Sequence, residues 1–355
     1  MSAPLLDVDH IAVHYHGRPR LFDRSPTATR AVNDVSFRID AGRTYGLIGE
    51  SGSGKSTLAR AVLRLVPVER GTIRVDGRDI SQVRPDEHLD YCRQVQGVFQ
   101  EPFSSLSAFR SVEETIGDVL TRHFDVKGRE RLNRVSNLLK LVGLSAEFAH
   151  RYVDELSGGQ CQRVSLARAL SVDPELVIFD EVTSALDMSV RSQIINLLRG
   201  YQDRTGAGYL FISHDLEAVR HIAHEVGVMC FGYLVETGTP QAIYAAPAHP
   251  YSEMLGASIP QPNPLMQRSR RNIRRQIVVN LPPPSPTSPL AGCPLAARCA
   301  AAMDICRREM PEPTTAHHGG TTRCHLHTSG PCLGGESIVP FMREARRPDI
   351  IRQVR

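Results

Sequence analysis

The stretch GLIGESGSGKST at residues 46–57 decides the fold. From Gly49 to Ser56 it matches the phosphate-loop pattern G-x4-G-K-S/T in full. The apolar residues before the loop predict a buried strand, and the amphipathic STLARAVLRLV after it predicts a helix. Glycines here allow backbone N–H groups to converge on phosphate oxygens at the positive end of that helix. We therefore expect Lys55 to neutralise the β- and γ-phosphates of ATP and the Ser56 hydroxyl to ligate Mg²⁺.

The whole loop is expected to surround the phosphates. Its residues are Gly49, Glu50, Ser51, Gly52, Ser53, Gly54, Lys55, Ser56 and Thr57.

A second motif, ELVIFDE at residues 175–181, predicts a central strand covered on both faces. Asp180 at its tip can hold Mg²⁺ directly or through water. Glu181 can orient or deprotonate a water that attacks the γ-phosphate. A third predicted strand, GYLFIS, ends just before His214. Because ligands of open α/β sheets collect where the strands end, these side chains are expected at one edge of an α/β fold.

Length, charge and hydropathy narrow the class of protein. A chain of 355 residues is long enough for two structural units. Its formal charge of +4 is too small for this length to indicate a nucleic-acid partner. We find neither a signal peptide nor the roughly 18 consecutive apolar residues that span a bilayer. Any work at a membrane is therefore expected to depend on a partner.

The stretch LSGGQCQRVSLARAL at residues 156–170 predicts a helix capped by Ser157, whose glycine pair leaves N–H groups open to an anion. Together with the loop and the acidic strand it resembles the signature of the ABC ATPases. The resemblance spans about residues 5–255 and keeps the order of the family's motifs. Val182 and Cys161 depart from the usual residues without removing a catalytic group. The other matching positions are Tyr15 for adenine stacking, Gln100 in VFQEP, Asp187 at the end of SALD, and His214.

The resemblance implies a P-loop ABC cassette with a RecA-like core sheet, an antiparallel β subdomain and an α-helical subdomain at about residues 101–165. It also implies a head-to-tail pair of subunits. The expected catalytic residues are Lys55, Gln100, Glu181 and His214, with Gln100 also contacting Mg²⁺. Those expected to serve the partner's nucleotide or the interface are Ser157, Gly158, Gly159, Gln160 and Asp187.

Three classes share such a cassette: transport motors, soluble translation or repair ATPases, and regulatory subunits that barely hydrolyse. A single phosphate loop, the lack of sustained heptads and the presence of Glu181 and His214 favour the transport motor. The continuation TPQAIYAAPAHPYSEMLGASIP at residues 239–260 resembles the oligopeptide/dipeptide and nickel importer ATPases. We therefore expect a cassette over residues 1–255 and an oligopeptide-permease-type domain over 256–355.

The same resemblance implies the cargo and the partners. Di- or oligopeptides are the expected cargo, and nickel, glutathione or another small peptide-like solute is the alternative. The expected partners are a second, non-identical ATPase subunit, two transmembrane permease subunits and an extracytoplasmic solute-binding protein. The chain is expected on the cytoplasmic face of the inner membrane.

Four cysteines near the C-terminus have the spacing Cys293-x5-Cys299-x6-Cys306-x17-Cys324. Four thiolates suit either zinc or an iron–sulfur cluster. Because similar tails bind a cluster in some peptide-importer ATPases, the resemblance implies a structural 4Fe–4S cluster. Zinc is the alternative because histidines lie nearby, and Cys332 is a spare ligand. Those histidines are His317, His318, His325 and His327.

Overall fold

The computed structural model describes residues 3–16, 28–184, 186–258, 290–328 and 333–340. Its strands are β1 Leu6–His16, β2 Ala28–Ile39, β3 Thr44–Ile48, β4 Arg70–Val75, β5 Arg78–Asp79, β6 Val95–Val98, β7 Leu176–Asp180, β8 Gly208–Ser213, β9 Glu225–Cys230, β10 Tyr233–Gly238, β11 Thr314–Thr315 and β12 Thr321–Thr322. Its α-helices are α1 Lys55–Val62, α2 His88–Gln94, α3 Pro102–Ser105, α4 Val112–Phe124, α5 Gly128–Leu141, α6 Gly158–Leu170, α7 Met188–Thr205, α8 Leu216–Ile222, α9 Pro240–Ala245, α10 Pro250–Ala257 and α11 Asp304–Arg308.

The central layer is a run of parallel strands in the order β9, β3, β8, β7, β6. Every residue of β3, β7 and β8 is buried, as expected for strands covered on both faces. Successive side chains alternate between two hydrophobic clusters because the strand period is two. Ile178 and Ile212 belong to the cluster that contains Leu58 of α1, whereas Phe179 and Phe211 belong to the other.

A smaller antiparallel layer, in the order β5, β4, β1, β2, covers one face of the central sheet. It joins the central sheet where Asp34 of β2 pairs with Tyr233 of β10. Helix α1 packs in the hydrophobic cluster shared by the two layers, which fixes the phosphate loop between them. The predicted ABC cassette fold, with a mixed sheet and helices, is therefore confirmed.

Helices α3 to α6 form the helical part, where the sequence predicts a helical subdomain. Helix α4 begins at a reciprocal cap: the Ser111 hydroxyl accepts from the Glu114 N–H at 3.1 Å, and the Glu114 carboxylate accepts from the Ser111 N–H at 2.8 Å. Its buried face includes Val112 and Ile116 and packs with residues of α5 and α6. One hydrophobic cluster connects this part to the central sheet.

The described C-terminal residues pack on the cassette and share its core. Leu295 and Ile338 belong to the same cluster as Phe179, and β12 pairs with β10 through Thr322 and Glu236. A separate cysteine-rich domain is therefore not confirmed. Within the ranges described above, no helix combines the length and apolarity needed to cross a membrane.

Candidate functional site

The phosphate loop runs from β3 to the N-terminus of α1, with Gly54 as the residue before the helix. Gly54 has φ 106°, and an added Cβ would lie 2.1 Å from the carbonyl oxygen of Ala31 on β2. Only glycine fits this left-handed backbone and close approach. The loop therefore packs directly against β2, and the first N–H groups of α1 are available to an anion at the N-terminus of that helix.

The Lys55 side chain is enclosed by the phosphate loop. Its Nζ donates to the carbonyl oxygens of Gly49 and Glu50, each at 2.9 Å, and the residue is 4% exposed. Burial lowers the pKa of Lys55, and the nearby Glu181 and Asp180 carboxylates oppose that shift. The ammonium is thus a buried cation near two carboxylates, and a buried cation is what a phosphate site requires.

Ser56 and Asp180 meet between α1 and the end of β7. The Ser56 hydroxyl donates to Asp180 Oδ1 at 3.1 Å, and burial raises the pKa of the Asp180 carboxyl. Hydroxyl and carboxylate oxygens are the ligands that Mg²⁺ prefers. The donor set therefore fits a Mg²⁺ bound beside nucleotide phosphates.

Glu181 and His214 follow the neighbouring strands β7 and β8. Glu181 Oε2 lies 3.2 Å from His214 Nδ1. Glu181 has φ 53°, and its N–H donates to the Ile212 carbonyl oxygen at 3.0 Å. A non-glycine residue in this left-handed region is strained, and such strain is concentrated at functional sites. The structure thus brings together the acid and the histidine predicted for one edge.

A cavity of about 430 Å³ opens beside these residues. Tyr15 lines it and donates its hydroxyl hydrogen to Thr57 Oγ1 at 3.4 Å. Lys55, Gln100 and Glu181 also line it. The other predicted residues in the lining are Ser51, Gly52, Gly54, Ser56 and Thr57. Arg30, Asn33, Phe231 and Leu290 also line it, and no sequence motif indicated them.

Ser157, Gly158, Gly159, Gln160 and Asp187 lie outside this lining. Ser157 caps α6 through a reciprocal pair with Gln160, whose side chain accepts from the Ser157 N–H at 2.9 Å. Asp187 lies at the start of α7 without a side-chain capping bond. These residues therefore do not contribute to the cavity of their own chain.

The four C-terminal cysteines do come together. Cys293, Cys299, Cys306 and Cys324 line one cavity of about 10 Å³, together with apolar residues such as Leu295. This volume is about that of one water molecule, so it leaves no room for a four-iron cube. Burial raises the pKa of Cys293 to about 11 and of Cys299 to about 12, which keeps the thiols neutral.

The predicted 4Fe–4S cluster is therefore wrong, and so is its zinc alternative. In the part of the chain that the structure describes, no group of three or more His, Cys, Asp or Glu side chains could hold a metal ion. Cys306 and Cys324 pack as small buried residues, and Cys293 and Cys299 are partly buried beside them. His318 instead contacts Glu236, and His325 and His327 contact the Glu309 and Ala248 carbonyl oxygens. The spare ligand, Cys332, lies outside the described residues.

Comparisons with known proteins agree with this geometry. Residues 32–184 match the family model described as ABC transporter, and residues 235–306 match that of the oligopeptide/dipeptide transporter, C-terminal region. The probable peptide ABC transporter ATP-binding protein y4tS of Sinorhizobium fredii is 41% identical over 92% of this chain and 91% of its own. The oligopeptide transport ATP-binding protein AppF of Bacillus subtilis is 40% identical over 91% of this chain and 98% of its own.

Solved structures share the cassette. The dimeric ATP-binding cassette MJ0796, in a post-hydrolysis state with ADP and Pi, has a TM-score of 0.60 and 25% identity over 66% of this chain and 98% of its own. CbiO1 from Clostridium perfringens, part of the ABC transporter complex cbiONQ, has a TM-score of 0.58 and 26% identity over 68% of this chain and 91% of its own.

The fold, the phosphate loop and the acidic strand end define an ABC-type ATPase. The second match is more specific, because residues 235–306 match the C-terminal region of oligopeptide/dipeptide transporters. The chain belongs to the family of peptide ABC transporter ATP-binding proteins.

Proposed function

We propose that this chain is the ATP-hydrolysing subunit of an importer for di- or oligopeptides. One observation carries the proposal: Lys55, Ser56 and Glu181 line one cavity, and Asp180 and His214 contact Ser56 and Glu181 at the ends of β7 and β8. Peptide import follows from family membership, because the relatives named above are peptide and oligopeptide transport proteins. Those names favour peptides over nickel and glutathione as the cargo.

Each side chain takes a role that its position allows. Lys55 binds the β- and γ-phosphates, and the N–H groups from Gly54 to Thr57, at the start of α1, bind their oxygens. Ser56 and Asp180 would hold Mg²⁺, which when bound would neutralise charge that develops on the phosphates. Tyr15, which lines the same cavity, stacks on adenine.

The acid–histidine pair carries out the chemistry. The Glu181 carboxylate orients or deprotonates the attacking water, and its contact at 3.2 Å with His214 fixes one of its oxygens. His214 is 55% exposed at its side chain, so it can reach the γ-phosphate, whereas Glu181 is only 12% exposed. Gln100 lines the same space and would contact bound Mg²⁺ and the attacking water.

A second ATPase subunit completes the site. Residues Ser157 to Gln160 begin α6, their cap is satisfied, and they lie outside the cavity of their own chain. An accessible helix N-terminus of this kind can bind the γ-phosphate of a nucleotide held by a partner in a head-to-tail pair. Asp187 would then lie at the interface. MJ0796, whose cassette this chain resembles, has a dimeric structure.

The membrane partners and the domain boundary complete the proposal. The chain works on the cytoplasmic face of the inner membrane with two permease subunits, a second and non-identical ATPase, and a solute-binding protein that delivers the cargo. The cassette ends near residue 255 and a domain of the oligopeptide-permease type follows over residues 256–355, so the family match at residues 235–306 spans this boundary.

The proposal is tested by uptake in cells that depend on this transporter. We expect Lys55→Ala to abolish ATP-dependent uptake of radiolabelled di- and tripeptides, because the phosphates lose their cation. Lys140→Ala, which removes a lysine from the last turn of α5, is the matched control and should transport normally. Peptide uptake that persists in Lys55→Ala cells, or uptake of nickel but not of peptides in the parent strain, would refute the proposal.

A further inference from the structure

Glu50, the second residue of the phosphate loop, is held at three points. Its carbonyl oxygen accepts from Lys55 Nζ at 2.9 Å. Its N–H donates to the Tyr251 hydroxyl oxygen at 2.8 Å. Its carboxylate accepts two bonds from the Arg298 guanidinium, at 2.7 and 3.1 Å. Two of the three contacts therefore come from residues beyond the strands that build the nucleotide site.

Of these three contacts, the one from Arg298 is expected to be the strongest, because both of its groups are charged and it consists of two hydrogen bonds. A bidentate guanidinium–carboxylate pair fixes orientation as well as charge. Arg298 is 12% exposed at its side chain, and its N–H donates to the Leu295 carbonyl oxygen at 2.8 Å. Leu295 is buried in the large hydrophobic cluster, so the turn that carries Arg298 is anchored to the core.

Tyr251 is equally fixed. It lies in α10, is 1% exposed, and donates its N–H to His249 Nδ1 at 3.0 Å. Its hydroxyl is therefore delivered to the Glu50 N–H by a rigid helix start. If the Tyr251 hydroxyl were removed, the partly buried Glu50 N–H would have no acceptor. This conformation of the phosphate loop would then be less stable.

Charge supplies a second effect. The Glu50 carboxylate acts electrostatically on Lys55, the cation proposed to bind the phosphates. An unpaired carboxylate at this position would repel a triphosphate bound in the loop. Arg298 neutralises it while leaving Lys55 available.

We propose that Arg298 and Tyr251 are positioning residues for ATP: through Glu50 the C-terminal region holds the phosphate loop in its binding conformation and cancels a charge that would repel the nucleotide. This inference rests on the proposed ATPase function. It makes the C-terminal region part of the nucleotide site and predicts that ATP affinity depends on a residue far from every nucleotide motif.

The test is isothermal titration calorimetry of the full chain with MgATP. We expect Arg298→Ala to raise the Kd for ATP about tenfold, because one charge-assisted contact is lost and one carboxylate is exposed. Arg298→Lys keeps the charge but not the bidentate geometry, so it should raise the Kd only about threefold. The double variant Glu50→Ala, Arg298→Ala should bind better than Arg298→Ala alone, because the repelling carboxylate has gone.

Arg323→Ala is the matched control. Arg323 also joins the C-terminal region to the rest of the chain, through Asp34 at 2.8 Å, and is similarly buried. Asp34 lies outside the cavity lining, so this variant should lower the melting temperature without changing the Kd for ATP. Equal losses of affinity in Arg298→Ala and Arg323→Ala would show a merely structural role and overturn the inference.

The remaining outcomes separate the two proposals. A wild-type chain that binds ATP while Arg298→Ala binds it equally well overturns this inference alone. A wild-type chain that does not bind ATP refutes the proposed function and this inference with it. Should Arg298→Ala fail to fold, the Arg298→Lys variant decides, and a wild-type Kd in that variant overturns the inference.

Discussion

Removing the Glu236 carboxylate should destabilise the chain more than removing any exposed acid. Glu236 lies on β10 with a fully buried side chain. It accepts from the N–H groups of Ala248 at 2.7 Å and His249 at 3.0 Å, and it contacts His318 Nε2 at 3.0 Å. One side chain thus connects the central sheet to the start of α10 and to the turn before β12.

The magnitude follows from those contacts. Glu236→Ala leaves up to three donors without an acceptor, and each unsatisfied buried donor costs about 1–3 kcal/mol. We therefore expect the free energy of unfolding to fall by about 4 kcal/mol in Glu236→Ala. Glu236→Gln keeps an acceptor oxygen and should lose about half of that.

Urea unfolding followed by circular dichroism measures the change. Glu130→Ala is the matched control, because Glu130 forms an exposed pair with Arg134 in α5 and its loss should change the free energy of unfolding by less than about 0.5 kcal/mol. A Glu236→Ala variant no less stable than Glu130→Ala would refute this reasoning about the buried carboxylate.

Three further predictions address the phosphate loop, the partner's site and the cysteines. Gly54→Ala should abolish ATP binding in calorimetry, because its Cβ would collide with the backbone of β2. Gly52 also has a positive φ but has open space around it, so Gly52→Ala should keep measurable binding. Equal loss of binding in both variants would contradict the collision. Ser157→Arg should block hydrolysis at the partner's phosphate loop in the assembled pair. Ser111→Arg removes the same kind of cap from α4 and should leave that hydrolysis unchanged. Loss of hydrolysis in both variants would argue for helix destabilisation instead. Burial raises the pKa of Cys293 to about 11, so its thiolate forms only at high pH. At neutral pH, iodoacetamide should therefore label Cys293 slowly in the folded chain and rapidly in urea, as measured by mass spectrometry. Equal labelling rates in the two conditions would contradict the burial of Cys293.

Local sequence patterns predicted the core of the site, because the residues of each motif determine the local backbone structure that positions its side chains. The phosphate loop needs glycine at Gly54, and the buried strand before Asp180 and Glu181 forces these acids to the strand end. Parallel neighbouring strands then bring His214 beside Glu181. Sequence order and sheet topology were sufficient for this part of the site.

Long-range contacts could not be predicted in this way. Arg298 meets Glu50 across 248 positions, and no periodicity or motif connects the two. The cysteine spacing was equally ambiguous, because four thiols that converge around a cavity of about 10 Å³ have the same spacing as four ligands of a cluster. Volume and burial decide between these outcomes, and neither can be read from spacing.

The central claim is that ATP is hydrolysed beside Glu181. The most direct test is to measure hydrolysis and bound nucleotide in the Glu181→Gln variant assembled with its partner subunits. The amide keeps the shape of the carboxylate but cannot accept the proton of the attacking water, so the rate should fall by about 10²–10⁴-fold while ATP stays bound. A Glu181→Gln assembly that hydrolyses ATP at the wild-type rate would contradict the account.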